Sequence, residues 1–212
     1  MIPRLVIDSS EGPTELCILG KAAGTDKSPY NQVGHRHPYT AVYSMLFAPL
    51  KNLPVRFAEI GVAGGRSALI WEMYFRHPDA QIRMFDRDQN FLDNGRTLVG
   101  GRFSFDLMDV SADGDIARAL GEEKYDVIID DSSHDFYHQI KIIKEAWPRL
   151  KSGGTLVIED IFRNEDENKY VTYLADTTIL KDAAATYFVH CEHKEKWSPG
   201  WDNDKLLVLV KG

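Results

Sequence analysis

The chain has 212 residues, 43% of them hydrophobic, which is enough for one sizeable core, and this length favours a single domain over residues 1–212. Its formal net charge is −7 and its basic residues form no long run, which argues against nucleic acid and anionic membrane as partners. Cys17 and Cys191 lie far apart and outside any CxxC pair, and the sequence shows no apolar run typical of a signal peptide or a membrane span. We therefore expect a cytoplasmic protein.

Helical and strand patterns alternate along most of the chain. Two helical patterns come first, at Thr14–Ala23 and Thr40–Leu50, on either side of a loop at Gly24–Tyr39. The predicted strands that follow, with helices between the first five, are Arg56–Ile60, Gln81–Phe85, Phe103–Leu107, Tyr125–Ile129, Thr155–Ile158, Ala184–Cys191 and Leu206–Val210. This order predicts a Rossmann-like, doubly wound α/β fold. Residues 1–55 would supply N-terminal helices and a substrate or cofactor loop, and residues 56–212 a mostly parallel seven-stranded sheet.

A glycine-rich turn follows the first of these strands. Its sequence, EIGVAGGRS, places Glu59 at the strand end, lets a ligand approach the backbone at Gly61 and Gly65, and puts Ser67 at the start of a helix. Ala63 breaks the GxGxxG pattern of dinucleotide sites, and the turn lacks the Gly-Lys-Ser/Thr ending of a P-loop. The pattern ExGxxGG resembles the first motif of class I S-adenosylmethionine (SAM) methyltransferases. This resemblance implies SAM as the cofactor.

The end of the chain supports that fold. The last two predicted strands are joined by a polar loop, Glu192–Asp204, which is too short to hold a crossover helix. We therefore expect them to pair as a C-terminal antiparallel hairpin. A seven-stranded methyltransferase sheet ends in this way, whereas a plain dinucleotide-binding sheet does not.

Acidic residues stand at the ends of the next two predicted strands. The second strand ends in MFDRD, and a carboxylate at this place can accept hydrogen bonds from both ribose hydroxyls of a cofactor. We predict that Asp86 does so; Asp88 is the alternative, although it also suits the N-cap of the following helix. The third strand leads to Asp109 and Val110, which are predicted to hold the adenine amino group and ring. Asp113 is predicted to cap the next helix.

Four carboxylates and a histidine are predicted to meet at the carboxyl edge of the sheet. Asp130, Asp131 and His134 follow one strand, and Glu159 and Asp160 follow the next. No basic side chain belongs to these motifs, so the mutual repulsion of the carboxylates favours a bound cation. Carboxylate oxygens suit Mg²⁺, Ca²⁺ or Mn²⁺ better than zinc. The sequence therefore predicts a divalent metal at this edge.

His134 also has less specific interpretations. It could be a polar residue at the start of the helix predicted over Asp135–Leu150, whose apolar residues recur at helical spacing. With His138 four residues later it has the spacing of a zinc pair, but the sequence offers no evident third nitrogen or sulfur ligand. The acids on both sides favour a functional histidine and a harder metal.

The acidic motifs resemble those of a particular enzyme family. The run IDDSSH with a following HQ, a later IED and an N-terminal GTDK resemble the TylF/MycE-like family of metal-dependent sugar O-methyltransferases, which act on macrolide-type glycosides. The resemblance covers nearly the whole chain from Gly24 onward. One departure is Ser132, where the family usually has glycine, and it leaves the path of this turn open.

The resemblance implies a role for each acidic residue. The metal ligands match Asp131, Glu159 and Asp160, the general base matches His134, and Asp130 would lie against the methionine part of SAM. The implied metal is Mg²⁺, with Mn²⁺ as the alternative. The implied acceptor is a sugar hydroxyl on a glycan or a glycosylated small molecule. The sequence leaves the oligomeric state open, with a homodimer as one option.

Several further residues are predicted to contact the acceptor. His35 and His37 reach it if their loop folds over the site, and His138 lies one helical turn beyond the proposed base. Trp201 offers a flat aromatic face on which a pyranose ring can pack. Each of these side chains could equally be a solvated loop or helix residue.

Other functions remain alternatives at this point. A catechol-like or other small-molecule O-methyltransferase would also use a metal and carboxylates. A nucleotide-binding module without turnover is opposed by the intact acidic and histidine residues. A dehydrogenase is opposed by Ala63 in the glycine turn and by the expected terminal hairpin.

Overall fold

The structure is a computed structural model that describes residues 2–212. Within them eight strands form one sheet, and eight α-helices lie between the first and the last strand along the chain. The strands are β1 Arg4–Asp8, β2 Arg56–Ile60, β3 Gln81–Asp86, β4 Phe103–Leu107, β5 Tyr125–Asp130, β6 Leu150–Ile161, β7 Ala183–Glu192 and β8 Lys205–Lys211. The helices are α1 Glu15–Ala23, α2 Tyr39–Phe47, α3 Arg66–Tyr74, α4 Gln89–Arg96, α5 Asp115–Leu120, α6 Phe136–Ala146, α7 Asn168–Leu174 and α8 Ile179–Asp182.

The sheet order is β1-β7-β8-β6-β5-β2-β3-β4. Strands β2 to β6 pair in parallel, and β8 lies antiparallel between β6 and β7. The predicted doubly wound, mostly parallel sheet and its antiparallel terminal hairpin are therefore confirmed. The central strands are apolar because helices cover both faces of such a sheet.

The predicted number of seven strands is one too few. The N-terminal segment, predicted to hold only helices and a loop, also contributes β1, which pairs in parallel with β7 at the edge of the sheet. Only Ile7 of its five residues is partly buried, and the other four are exposed. A short edge strand with so little burial lacks the alternation of apolar and polar residues that marks most strands.

Two hydrophobic cores lie on opposite faces of the sheet. Phe57 and Val127 belong to the core with α1, α2 and α3, whereas their neighbours Ala58 and Ile128 belong to the core with α5 and α6. This division follows from the strand geometry, since successive side chains point to opposite faces. The central strands therefore lie between the two cores.

Helix starts agree only in part with the sequence predictions. Asp88 is the N-cap of α4 and accepts a hydrogen bond from the backbone N–H of Asn90, as expected. The predicted cap Asp113 is wrong, because Gly114 occupies the N-cap position of α5 and the Asp113 carboxylate pairs with Lys141 at 3.0 Å. In α6 the cap is Asp135, whose carboxylate accepts backbone hydrogen bonds from the first turn.

The ends of four central strands are level with one another. Ile60 of β2 pairs with Phe85 of β3 and with Asp130 of β5, which in turn pairs with Ile158 of β6. The residues that follow these positions therefore meet at one edge of the sheet, where open α/β folds bind ligands. Among the described residues, no helix has the length and apolar character needed to cross a membrane.

Candidate active site

The glycine-rich turn after β2 fits closely against the end of β5. Gly61 has a φ of 108°, and a Cβ atom added to it would lie 1.9 Å from the carbonyl oxygen of Asp131. Only glycine can occupy this position without displacing backbone. Gly65, with a φ of 70°, ends the turn as the N-cap residue of α3. The absence of a side chain at Gly61 therefore makes room for the protein's own backbone, at the carbonyl group of Asp131.

Asp86, the last residue of the neighbouring strand β3, holds this turn in place through hydrogen bonds. Its Oδ2 atom accepts hydrogen bonds from the backbone N–H groups of Val62 at 2.8 Å and Ala63 at 3.2 Å. Its Oδ1 atom accepts one from the backbone N–H of Asp88 at 2.9 Å. The carboxylate predicted to bind a ribose thus also holds the shape of the turn.

A cavity of about 210 Å³ opens beside the turn. It brings together four of the residues predicted to bind the cofactor, namely Gly61, Asp86, Asp109 and Val110. Hydrogen bonds from the hydroxyl and backbone N–H of Ser111 hold the pKa of Asp109 below its usual value. His138, predicted to contact the acceptor, lines this cavity as well.

Arg87 and Phe91 are among the residues of this cavity that the sequence predictions did not include. Arg87 lies beside Asp86, and Phe91 in the first turn of α4 is 40% exposed at the cavity wall. A large exposed aromatic residue shortly after the end of β3 could have indicated a partner for a flat ring.

Glu59 and Ser67 lie behind the turn instead of lining this cavity. Glu59 is fully buried, and its Oε2 atom accepts a hydrogen bond from the indole nitrogen of Trp71 at 2.6 Å. Its Oε1 atom accepts no hydrogen bond within residues 2–212. Ser67 lines an adjoining cavity together with Lys27 and Asp131.

Lys27, from the GTDK segment, lies among the acids. Its side chain is 2% exposed, and its Nζ atom lies 2.5 Å from Asp131 Oδ2, 2.7 Å from both Glu159 oxygens and 3.3 Å from Glu59 Oε1. Burial alone would lower the pKa of Lys27, but the three carboxylates hold it well above its usual value. The expectation that no basic side chain joins the acidic motifs is therefore wrong.

The acidic side chains divide into two overlapping groups. The inner group is Glu59, Asp131 and Glu159, and the outer group is Asp131, His134 and Asp160. Within each group, one potential ligand atom of every residue lies within 4.8 Å of the others. The three carboxylates predicted as metal ligands are thus brought to one place, but Glu159 and Asp160 fall in different groups. Both groups are rich in the hard oxygen donors that Mg²⁺ and Mn²⁺ prefer.

His134 lies where the outer group meets solvent. Its Nε2 atom is 3.4 Å from Asp131 Oδ1 and 3.3 Å from Asp160 Oδ2, and its side chain is 28% exposed. Burial would lower the pKa of His134, but the hydrogen bond to Asp131 and the charges of Asp160 and Asp131 raise it to about 9. The imidazole is therefore held by two carboxylates and remains accessible.

Asp160 is oriented by residues far away in the sequence. Its Oδ1 atom accepts hydrogen bonds from the hydroxyl of Tyr39 at 3.0 Å and from the side-chain amide of Asn203 at 2.5 Å. His37 stacks on Tyr39 and bonds through Nδ1 to Asp204 at 2.7 Å, while its Nε2 atom lies 4.0 Å from Asp160. His37 is therefore part of the wall behind the site. Sequence motifs gave no indication of Tyr39 or Asn203.

Backbone strain concentrates at this edge of the sheet. Among the described residues, positive φ angles outside glycine occur at Ala63 (43°), His134 (57°) and Asp160 (56°). Residues held in this region cost free energy and persist where the surroundings fix them, commonly at functional sites. Ala63 lies in the turn after β2, His134 in the turn after β5, and Asp160 near the end of β6.

Asp130 lies beneath these turns. It is 2% exposed, and its Oδ1 atom accepts hydrogen bonds from the hydroxyl of Ser132 at 2.6 Å and its backbone N–H at 3.2 Å. Burial raises the pKa of Asp130 to about 7. Serine thus supports the turn where the resembling family usually has glycine.

Two loops form an aromatic rim around the outer group. Trp201 is 47% exposed, meets the His134 ring edge-on at 6.2 Å between centroids and stacks on Phe162 at 6.0 Å. His35 binds Ser198 through Nδ1 at 2.7 Å. The backbones of Arg36 and Trp197 are also hydrogen-bonded to each other. The loop at residues 24–38 therefore does reach the site, where it is joined to the loop before β8.

Comparison with known families and structures agrees with this geometry. Residues 58–161 match a family described as a methyltransferase domain. A relative from Streptomyces olivaceus, 8-demethyl-8-alpha-L-rhamnosyl tetracenomycin-C 2'-O-methyltransferase, is 34% identical over 133 residues, which are 59% of this chain and 33% of the relative. Mycinamicin VI 2''-O-methyltransferase from Micromonospora griseorubida is 32% identical over 139 residues, 61% of this chain and 33% of the relative. The chain spans about a third of the length of these curated relatives.

Solved structures establish the same fold. MycE methyltransferase from the mycinamycin biosynthetic pathway, in complex with Mg, SAH and mycinamycin VI, has a TM-score of 0.67 at 23% identity, over 96% of this chain and 56% of that one. A SAM-dependent O-methyltransferase from Thermotoga maritima has a TM-score of 0.60 at 12% identity, over 85% of this chain and 67% of that one. The predicted Rossmann-like methyltransferase fold is confirmed, and so is the resemblance to the TylF/MycE-like group.

Proposed function

We propose that this protein is a SAM-dependent and divalent-metal-dependent O-methyltransferase whose acceptor is a sugar hydroxyl on a glycan or a glycosylated small molecule. The observation that carries the proposal is the position of His134, whose Nε2 atom lies between the Asp131 and Asp160 carboxylates at the edge of the sheet that bears the glycine turn. The relatives named above methylate sugar hydroxyls of glycosylated natural products, which supports this acceptor class. Both cysteines are free and buried, which fits a cytoplasmic setting.

The cavity beside the turn would hold SAM. The Asp86 carboxylate would accept the ribose hydroxyls, and Asp109 and Val110 would hold the adenine. The acidic lining suits a ligand that carries a sulfonium and no phosphate. Bound SAM supplies an electrophilic methyl group on that sulfonium. Asp130, which lies beneath the turn, would support the methionine end through the chain around Ser132.

Asp131, Glu159 and Asp160 would hold the divalent cation, with Asp131 shared between the inner and the outer group. Their oxygens are hard donors, and the outer group is the more exposed of the two. A cation bound there would make a neighbouring hydroxyl more acidic and would counter the effect of the carboxylates on the pKa of His134.

His134 would accept the proton of the acceptor hydroxyl at Nε2. To act as a base the imidazole must be neutral, and the two carboxylates beside it stabilise the imidazolium that forms. As the proton leaves, the acceptor oxygen bonds to the methyl carbon and the carbon–sulfur bond breaks with its electron pair on sulfur. The surroundings that hold His134 and Asp160 in strained backbone conformations would also hold their side chains in place, so positioning would supply much of the rate.

The aromatic rim would bind the acceptor sugar. Trp201 is exposed next to His134 and backed by Phe162, so a pyranose ring packed on its face would bring a hydroxyl towards the base. His35 borders the same loop junction, and His37 would act through Asp204 and Asp160.

Methyl transfer from SAM to a panel of free and linked deoxyhexoses, including rhamnosides, tests the proposal. We expect turnover with Mg²⁺ or Mn²⁺, none in EDTA, and a methylated hydroxyl located by NMR. SAM binding measured by calorimetry should survive chelation, because the cofactor cavity contains no part of the cation site except Asp131. Full turnover in EDTA would rule out the metal, and methylation of catechols but no sugar would rule out the acceptor class.

A further inference from the structure

The two edge strands of the sheet, β4 and β1, are protected to different degrees. At β4, the outward-pointing carbonyl oxygens of Phe105 and Leu107 accept hydrogen bonds from the guanidinium groups of Arg96 and Arg118. Charged side chains that occupy an edge in this way hinder its pairing with the strand of another chain. The outer edge of β4 is therefore covered by the protein's own side chains.

The outer edge of β1 has no such cover. Backbone hydrogen bonds join Pro3 and Ser9 to β7, and alternate residues of a strand bond to the same neighbour. The backbone N–H and C=O groups of Arg4, Val6 and Asp8 therefore point away from the sheet. Within residues 2–212 no other group forms a hydrogen bond with them.

Apolar side chains accompany these free backbone groups. Val6 is 70% exposed and Leu5 is 45% exposed. Because successive side chains of a strand point to opposite faces, Leu5 and Ile7 lie on one face of β1, and Arg4, Val6 and Asp8 lie on the other. An edge strand with exposed apolar side chains and unpaired backbone groups is a template for a further strand.

The sequence of β1, RLVID, is complementary to itself in the antiparallel direction. When two copies are aligned about Val6, Arg4 of one copy lies opposite Asp8 of the other, and Leu5 lies opposite Ile7. The residues whose backbone groups point outwards then face each other, so each free N–H meets a free C=O. Opposite charges and apolar side chains that face each other across two strands stabilise the pair.

Both charged residues are available for this contact. Arg4 binds Glu167 of its own chain through Nε, but its side chain is 63% exposed and the rest of its guanidinium carries further N–H donors. Asp8 is also exposed, and its Oδ1 atom accepts a hydrogen bond from the backbone N–H of Ser10 at 2.9 Å. The other carboxylate oxygen of Asp8 is left for a second partner.

We propose that β1 is the interface of a homodimer, in which the β1 strands of two chains pair antiparallel about a two-fold axis at Val6. This pairing joins two eight-stranded sheets into one. A two-fold contact uses the same patch on both chains, so it closes at two copies. Since β1 runs parallel to β6, the two candidate active sites lie at opposite edges of the joined sheet, and neither chain contributes to the other's site.

Sedimentation equilibrium from about 1 µM to about 500 µM protein tests the inference. We expect the wild type to have twice the mass of one chain within this range. Val6→Pro removes an N–H group that no bond within the chain uses, and proline is tolerated in edge strands, so this variant should fold and dimerise roughly 100-fold more weakly. The matched control is Val6→Thr, which keeps the N–H group and the shape of the side chain and should still dimerise.

Exchanged charges test the register, and they also decide the matter if Val6→Pro fails to fold. Arg4→Asp and Asp8→Arg each place like charges opposite each other in a homodimer, so each variant alone should dimerise roughly tenfold more weakly than the wild type. An equimolar mixture of the two restores opposite charges at both pairs. We therefore expect heterodimers in the mixture, counted by native mass spectrometry.

Three results would overturn the inference. They are a wild type that stays monomeric over the whole concentration range, a dimer that survives Val6→Pro, and a mixture of the charge variants that forms no heterodimer. Methyl transfer is not among these readouts, so the proposed function and the proposed interface can fail separately.

Discussion

The two halves of the site are held together by different kinds of contact. In the turn half, Asp86 binds backbone N–H groups of the adjoining strand end and Gly61 meets the backbone of Asp131. In the acidic half, side chains bind across long separations, such as 104 residues between Lys27 and Asp131. The first half therefore depends on backbone shape, and the second on charges that only the folded chain brings together. Substitutions that change shape or charge should affect the two halves differently.

The largest effect is expected in the acidic half, from the loss of the proposed base, His134. His134→Ala should lower turnover by roughly 10²–10⁴-fold, the usual contribution of a positioned general base, while SAM affinity stays nearly unchanged.

Turnover of the wild type should rise with pH and then level off, because His134 must lose its proton to act and carboxylates raise its pKa to about 9. Steady-state kinetics across pH measures both.

His138→Ala is the control for that prediction. His138 has its Nδ1 atom 2.8 Å from the hydroxyl of Ser133, lines the cavity beside the turn and belongs to neither acidic group. Its loss should affect turnover much less than the loss of His134. If the two variants ranked in the opposite order, the base would have been assigned to the wrong histidine.

The next largest effect is expected in the turn half, from a single methyl group. Gly61→Ala places a Cβ atom 1.9 Å from the Asp131 carbonyl oxygen at a φ of 108°. Overpacking together with the unfavourable backbone region should destabilise the fold by roughly 2–5 kcal/mol and abolish SAM binding. Urea unfolding and calorimetry measure the two effects.

Gly64→Ala provides a matched control three residues later. Its added Cβ would have only the Arg66 side chain nearby, at 3.9 Å, and no positive φ opposes the change. We expect stability close to that of the wild type. Equal losses in both variants would mean that the close approach at Gly61 has no particular importance.

Substitutions of Asp86 test whether the turn half contributes to SAM binding only through its backbone shape or also through a side-chain hydrogen bond. Asp86→Ala should weaken SAM binding by about 1–3 kcal/mol, the usual loss for a charge-assisted hydrogen bond. Asp86→Asn keeps an acceptor for the backbone N–H groups of Val62 and Ala63, so it should preserve stability better than alanine does. Unchanged SAM affinity in both variants would move the ribose contact elsewhere, with Asp88 as the next candidate.

The same division explains how much of the molecule the sequence predicts. The central strands, the glycine turn and the terminal hairpin were predictable because each depends on apolar periodicity, glycine spacing or loop length over short stretches. Asp130, Asp131 and His134 were predictable as neighbours of a strand end. The prediction failed for β1, whose residues are mostly exposed.

The supports of the acidic half were not predictable from local patterns. Lys27 lies in a recognisable GTDK segment, but nothing in its neighbours shows that its ammonium group is buried among three carboxylates. Tyr39 and Asn203 meet at Asp160 only because α2 and the loop before β8 pack on the same edge. Such contacts follow from the tertiary fold, and a motif search over one strand end cannot find them.

The smallest expected effect concerns a second buried lysine–carboxylate cluster, at Lys205 and Glu167. Burial raises the pKa of Glu167, but hydrogen bonds from Arg4 and Lys205 outweigh it and hold this pKa below its usual value of 4.5. A carboxyl group whose pKa is lower in the folded state adds stability above its unfolded pKa, and this contribution is lost as pH falls through the folded value. Thermal unfolding from about pH 7 to about pH 3 should therefore show a smaller acid-induced loss of stability in Glu167→Gln than in the wild type.

Glu122→Gln is the control, because Glu122 pairs with Arg149 while almost fully exposed and should contribute little to stability. SAM and Mn²⁺ binding should be unchanged in both variants; a loss of Mn²⁺ binding in Glu167→Gln would show that charge networks outside the two acidic groups also set the metal affinity.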